Sequence, residues 1–221
     1  MDLLYFLAII IPIAAQIYVS YTYNRFKKVR NDFGLTGFDV AKKILEVNGL
    51  EKLYVVETQG KLTDHYDSSR KTIRLSSEVY HEESIAALAI AAHECGHALQ
   101  DKEGYFFLRL RAMIYPIVSI GTKFAYVLLI IGFLFELMNM IIVAIALYGL
   151  GLVFQLITLP VEFDASKRAL NMLRSLHICN QVGDDGTGKM LRAAAFTYVA
   201  GVLSSALEII RLIAIFNRER D

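Results

Sequence analysis

The stretch AALAIAAHECGHALQD, Ala86 to Asp101, decides how the chain is read. It is apolar through Ala92, as a buried helix is, and then His93, Glu94, Cys95 and His97 arrive together. Residues four apart lie one turn apart on the same helix face. A helix here therefore presents both imidazoles to one side, at the spacing that lets two ring nitrogens reach one tetrahedral zinc ion. Glu94 lies beside that face rather than in it, so its carboxylate is placed to take a proton from an activated water rather than to share the ion. Gly96 costs about 1 kcal/mol relative to alanine in a helix interior, which predicts that something approaches the helix closely at that point. The plainer reading of the same residues is a pair of core histidines with hydrogen-bond partners.

A catalytic zinc takes three protein ligands and keeps one position open. Downstream of the histidine pair the candidates for the third are His177, Glu162 and Asp164. Glu162 follows QLITLP at the end of an apolar run and opens the helical-looking stretch VEFDASKRALNML. A first-turn carboxylate favoured by the helix dipole is the ordinary role for such a residue. On the residues alone, Glu162 stands only slightly ahead of Asp164.

The surroundings point to lipid. The 221 residues are 55% hydrophobic and only 20% charged, with a mean hydropathy of +0.43, against roughly 25% charged for a soluble domain. A net charge of +1 gives no field for nucleic acid, and no nucleic-acid partner is expected. Cys95 and Cys179 are too few for a disulfide scaffold and are read as free thiols, Cys95 as core packing. Leu3 to Val19 is apolar apart from Gln16, with Tyr18, Tyr21 and Tyr23 at its edge and NRFKKVRN beyond. A signal peptide would carry its positive charge before the apolar run, so this is expected to be an uncleaved anchor. Met113 to Phe135 and Met138 to Leu159 read as a transmembrane hairpin about the Glu136 and Asn139 region, and Ala193 to Phe216, with Glu208 and Arg211 as an i,i+3 ion pair, reads either as a further span or as a segment packed against the others. Lys and Arg gather on the face shared by Arg25, Lys27, Lys28, Arg30, Lys102, Arg109, Arg111, Lys167, Arg168, Arg174, Lys189 and Arg192, whereas the outer turn has none. By the positive-inside rule the polar regions face the cytoplasm, and the terminal NRERD is the discordant patch.

Between the anchor and the motif helix, Thr36 is expected to cap a helix whose stripe is Phe38, Ala41, Ile44, Leu45 and Val47, ending at Asn48-Gly49. LYVVET, KLTDHY and KTIRLS read as a short antiparallel meander with the last strand half-buried or at an edge. Such an edge can bind a peptide by strand addition.

HECGHALQ followed by PVEFDASKRA resembles the H-E-x-x-H plus E-F-x-A-x-x-x-A arrangement of glutamate-type zinc proteases, and is close to the YugP-like neutral zinc metallopeptidases of bacterial membranes. The similarity extends through GLTGFDVAKKIL, LTDHYD, KTIRLSSEVY, SIAALAIAAHE and AAAFTYVAGVL, most of the chain. It implies His93, His97 and Glu162 as ligands of Zn²⁺ and Glu94 as general base. The more distant prenyl-protein and heat-shock membrane proteases carry an Asp where this chain has Ser166. Any task of that Asp in orienting a histidine is therefore expected to fall elsewhere, with Asp164 and Asp64 as candidates.

The expected fold is a mainly α integral membrane protein with a small β-meander, a zincin-like active-site helix and about four transmembrane segments. Its parts are an anchor (1–23), a cytoplasmic metallopeptidase portion (24–111), a transmembrane hairpin (112–160), a cytoplasmic helix with the third zinc ligand (161–192) and a membrane segment with tail (193–221). The expected function is zinc-dependent endopeptidase action on a peptide or protein substrate at the cytoplasmic face of the cell membrane. His65 and Tyr66 are the candidate donors to the developing negative charge. Two rival readings are an assembly factor or chaperone with a structural zinc, which needs a fourth ligand such as Cys95, His177 or Asp164, and a transporter built around Glu208 and Arg211.

Overall fold

The computed structural model describes residues 2–178 and 181–220; Cys179 lies outside them. Helix α1 (Asp2–Phe26) is followed by a loop organised by Asn31, whose buried side chain bonds to Leu35, Glu83 and Phe33 backbone atoms. Helix α2 (Gly37–Val47) begins as its sequence requires. Thr36 accepts from the Asp39 amide, and the Asp39 carboxylate accepts from the Thr36 amide at 2.9 Å, a reciprocal cap. Val40, Ala41, Ile44 and Leu45 form the buried face, while Val47, expected in the stripe, is exposed.

Strands β1 (Tyr54–Thr58), β2 (His65–Asp67) and β3 (Thr72–Ser76) form one small sheet, but not the expected antiparallel meander. Its order is β1-β3-β2, with β2 antiparallel and β1 parallel to β3. The β2–β3 turn is set locally: Asp67 accepts from the Ser69 and Arg70 amides, and Lys71 takes a positive φ of 52°. The chain between β1 and β2 is long enough to return on the far side, so β1 takes the other flank of β3. As a result β3 is central and almost wholly buried, with only Arg74 partly exposed. It has no free edge for a peptide; the edges of the sheet belong to β1 and β2.

A short helix α3 (Ser77–His81) leads to α4 (Ile85–Glu103), the motif helix, capped by Ser84 at its start and by Gly104 in the left-handed conformation at its end. Then come α5 (Phe106–Leu134), α6 (Met138–Ser175) and α7 (Gln181–Arg220). Among the described residues, four helical stretches, Leu3–Phe26, Phe106–Leu134, Met138–Ser175 and Gly183–Asn217, are long and apolar enough to cross a membrane. Helix α6 is one continuous element through Pro160. The stretch beginning VEFDAS, read from sequence as a separate helix, continues the third apolar segment.

By packing, the chain forms two units. One comprises Met1–Gln16, Phe106–Pro160 and Phe196–Asp221. Within it Glu136, at φ 56°, turns α5 into α6. Gln155 and Ser205 exchange hydrogen bonds of 2.9 and 3.1 Å. Glu208 and Arg211 pair directly, with the guanidinium 4.9 Å from the Tyr5 ring centre. The other unit comprises Ile17–Tyr105 and Val161–Ala195. Its core joins Ile44 and Leu45 of α2, Ile73 and Leu75 of β3, Leu88 of α4 and Leu173 of α6, all essentially inaccessible to solvent.

Candidate metal centre

Within the second unit, α4 and the part of α6 beyond Pro160 lie backbone to backbone. A Cβ on Gly96 would stand 2.5 Å from the Ala165 carbonyl oxygen, well inside contact distance. What approaches the motif helix at Gly96 is therefore α6 itself, and this closeness lets Glu162 reach the histidine face.

His93 Nε2 is 3.3 Å and His97 Nε2 3.6 Å from the same oxygen of Glu162, Oε2. The ligand atoms of the three residues all lie within 4.8 Å of one another, and the two rings meet edge to face. Glu162 is almost completely buried, while the imidazoles keep a little exposure. At zinc–ligand distances of about 2.0–2.2 Å, neighbouring ligands of a tetrahedral site stand about 3.3–3.6 Å apart. A direct charge-assisted N–H···O bond is shorter, about 2.7–2.9 Å. The two histidine-to-Glu162 separations thus suit arms around one ion better than a closed ion pair, and two imidazoles with one carboxylate are a donor set that zinc takes.

Each histidine is held from behind. His97 Nδ1 is 3.0 Å from Gln100 Oε1, and Gln100 Nε2 donates to the Val161 carbonyl at 2.7 Å and to Asp164 at 2.9 Å. His93 Nδ1 is 3.3 Å from the Ser166 hydroxyl. Ser166 therefore keeps the histidine contact expected to fall elsewhere: a hydroxyl one turn beyond Glu162 already reaches the ring. Asp164 acts on His97 only through Gln100, and is also bonded to Arg168. Asp64 accepts from the Ser76 amide and hydroxyl. Burial pushes Asp64 above the usual carboxylate range and the Glu94 charge adds to this, against the pull of the Ser76 bonds. For His97, burial lowers the pKa, but the neighbouring carboxylates of Glu162 and Glu94 outweigh it and raise the ring above its ordinary value.

Glu94 is buried on α4 between the two histidines. Cys95 is buried with its thiol toward the Ala41 carbonyl, and burial pushes that thiol far up, as suits a core residue. His65 and Tyr66 are each engaged by a partner of their own. His65 is exposed, with Nδ1 2.8 Å from the Thr63 carbonyl, and the Tyr66 hydroxyl donates to Asp101 at 2.7 Å. Gln100 and Ser166 were missed from sequence. The available signal was helical spacing: Gln100 is three residues after His97, and Ser166 four after Glu162.

A histidine pair and a carboxylate from a second helix define the class of zinc-dependent hydrolase of the H-E-x-x-H kind. Residues 1–217 match the family model described as "Putative neutral zinc metallopeptidase". The "Putative membrane protease YugP" of Bacillus subtilis (strain 168) is 42% identical over 207 residues, covering 94% of this chain and 92% of that protein. No solved structure matches. The chain belongs to the neutral zinc metallopeptidase family, as a multi-pass membrane protein whose cofactor is zinc.

Proposed function

We propose that the chain is a membrane-embedded zinc endopeptidase with His93, His97 and Glu162 as the metal ligands and Glu94 as general base. The observation that carries this is the convergence of three donor atoms within 4.8 Å of one another, with both histidine-to-Glu162 separations at the edge length of a zinc tetrahedron, and with a buried carboxylate next in sequence to the first of them. When bound, zinc supplies Lewis acidity toward water and the scissile carbonyl. Glu94 takes the proton of the attacking water and returns it to the departing amine. Glu162 and the two rings would hold the ion, Gln100 and Ser166 hold the rings, and the histidines keep a slight exposure from which substrate would approach.

Donation to the developing oxyanion by His65 or Tyr66 requires a rearrangement. Tyr66 must leave Asp101, or His65 must be protonated, because the one N–H of its neutral ring faces Thr63. Substrate pairing is assigned to the edge strand β2, which carries both residues, rather than to β3. The positive-inside rule places the site on the cytoplasmic face. A structural zinc is less well supported: among the described residues the group has three members, with Cys95 turned toward Ala41 and Asp164 engaged by Gln100 and Arg168.

The test is Glu94→Gln in the purified full chain, assayed on an unstructured protein such as casein. Removing the general base is expected to lower the rate by about 100-fold or more while zinc content stays at the parent level. Parent-like cleavage by the zinc-loaded variant would refute the mechanism.

A further inference from the structure

Gln100 is fully buried and lies outside the H-E-x-x-H motif. Its orientation follows from its neighbours. The Val161 carbonyl can only accept hydrogen bonds, and the Asp164 carboxylate, already receiving one from Arg168, accepts as well. The Gln100 atom facing both must therefore be the amide nitrogen, which has two hydrogens to give. A flipped amide would set its oxygen against two acceptors. The Gln100 oxygen is left facing His97 Nδ1 at 3.0 Å. That oxygen and Glu162 Oε2 are both acceptors, but only the first lies within hydrogen-bond distance, the second standing 3.6 Å from Nε2; the single hydrogen of the neutral His97 ring therefore sits on Nδ1 and the lone pair on Nε2.

We infer that Gln100 is a positioning residue that fixes the His97 tautomer and ties this ring to the turn of α6 carrying Glu162. The inference rests on the reading of His97 and Glu162 as ligands. One amide spans the second ligand and both flanks of the third, because Val161 and Asp164 bracket Glu162 in sequence. The link is closed a turn further on, where Arg168 bonds to Asp164 and to Glu103 at 2.7 Å, returning from α6 to α4. His93 lacks such a constraint. Its partner Ser166 is a hydroxyl, able to donate or accept, at the longer distance of 3.3 Å.

The experiment uses the full chain in detergent micelles with ¹⁵N-labelled histidine rings, zinc-stripped, at a pH where the rings are neutral. The His97 signal is assigned by its loss in His97→Asn, and zinc affinity is measured separately by competition with a chromophoric chelator. The parent is expected to show His97 only as the Nδ1–H form. Gln100→Met, which keeps the length and removes every hydrogen bond, is expected to give a mixture with the Nε2–H form and to weaken zinc binding by about 10- to 100-fold, the usual range for such partners. Ser166→Ala is expected to leave the His97 ring spectrum as in the parent. A parent with its hydrogen on Nε2 overturns the assignment, even if no Gln100 variant folds. So does a folded Gln100→Met protein with an unchanged ring spectrum or unchanged zinc affinity. A parent that shows the Nδ1–H form yet binds no zinc upholds the tautomer assignment and refutes the ligand reading instead.

Discussion

Glu162 and Asp164 are two residues apart on one helix, so their side chains leave it about 200° apart. That angle is why the residues alone could not choose between them. Either carboxylate could serve a zinc, and nothing in VEFDAS says which face of the helix looks at α4. Packing brings Glu162 and Ser166, one turn apart, to the two rings, while Val161, Asp164 and Arg168 lie along another line of the helix and meet Gln100 and Glu103. The histidine pair was legible because its spacing is its chemistry. The polar groups behind it were not, because a glutamine or serine in a helix has many ordinary uses. If Glu162 is the third arm, Glu162→Ala should weaken zinc binding by more than about 100-fold, beyond the loss typical of an outer-shell partner. Asp164→Ala should stay within that smaller range, since Asp164 reaches the ring only through Gln100. Isothermal titration of zinc into both variants measures the difference, and the reverse ranking would hand the ligand role to Asp164.

Between elements, the decisive contact is the crossing of α4 and α6 at Gly96. From sequence, Gly96 announced a close approach without naming the visitor; the Ala165 backbone is what comes near. Gly96→Ala gains about 1 kcal/mol of helix propensity, yet its new methyl carbon would lie 2.5 Å from a backbone oxygen that has no rotamer to escape through. The helices must part, at a cost of about 1–3 kcal/mol, and Glu162 moves with α6. The variant should therefore melt earlier than the parent and bind zinc at least about tenfold more weakly, measurable by circular dichroism and chelator competition. A variant as stable and as tight-binding as the parent would show that the approach has no bearing on the ligand set. The sheet was only partly legible for a related reason. The β2–β3 turn is written locally in Asp67, Ser69 and Arg70, and its pairing was foreseen. Which flank of β3 receives β1 depends on how the intervening chain closes, and no local residue records that choice.

At the scale of the whole molecule, four long apolar helices were readable from hydropathy, although α6 and α7 each run well past the limits that apolarity alone would give. Continuity through Pro160 was not readable, because proline within a helix usually marks an end or a kink. It means that Glu162 belongs to the same helix as the third apolar segment, two residues beyond Pro160. Orientation rests on charge alone. With four spans and the basic flank of α1 inside, the Glu136 turn lies outside, and so does the carboxyl end, despite the basic residues of NRERD. Cysteine placed at Glu136, in a background without Cys179, should react with a membrane-impermeant maleimide in intact cells. Cysteine at Lys61, an exposed site in the loop between β1 and β2, should react only after permeabilisation. The two sites share one chain, so expression level cancels in their ratio, and buried Cys95 adds no background. Lys61 labelling in intact cells with Glu136 protected would invert the assigned orientation and turn the site outward, while leaving the ligand set and the role of Glu94 as they stand.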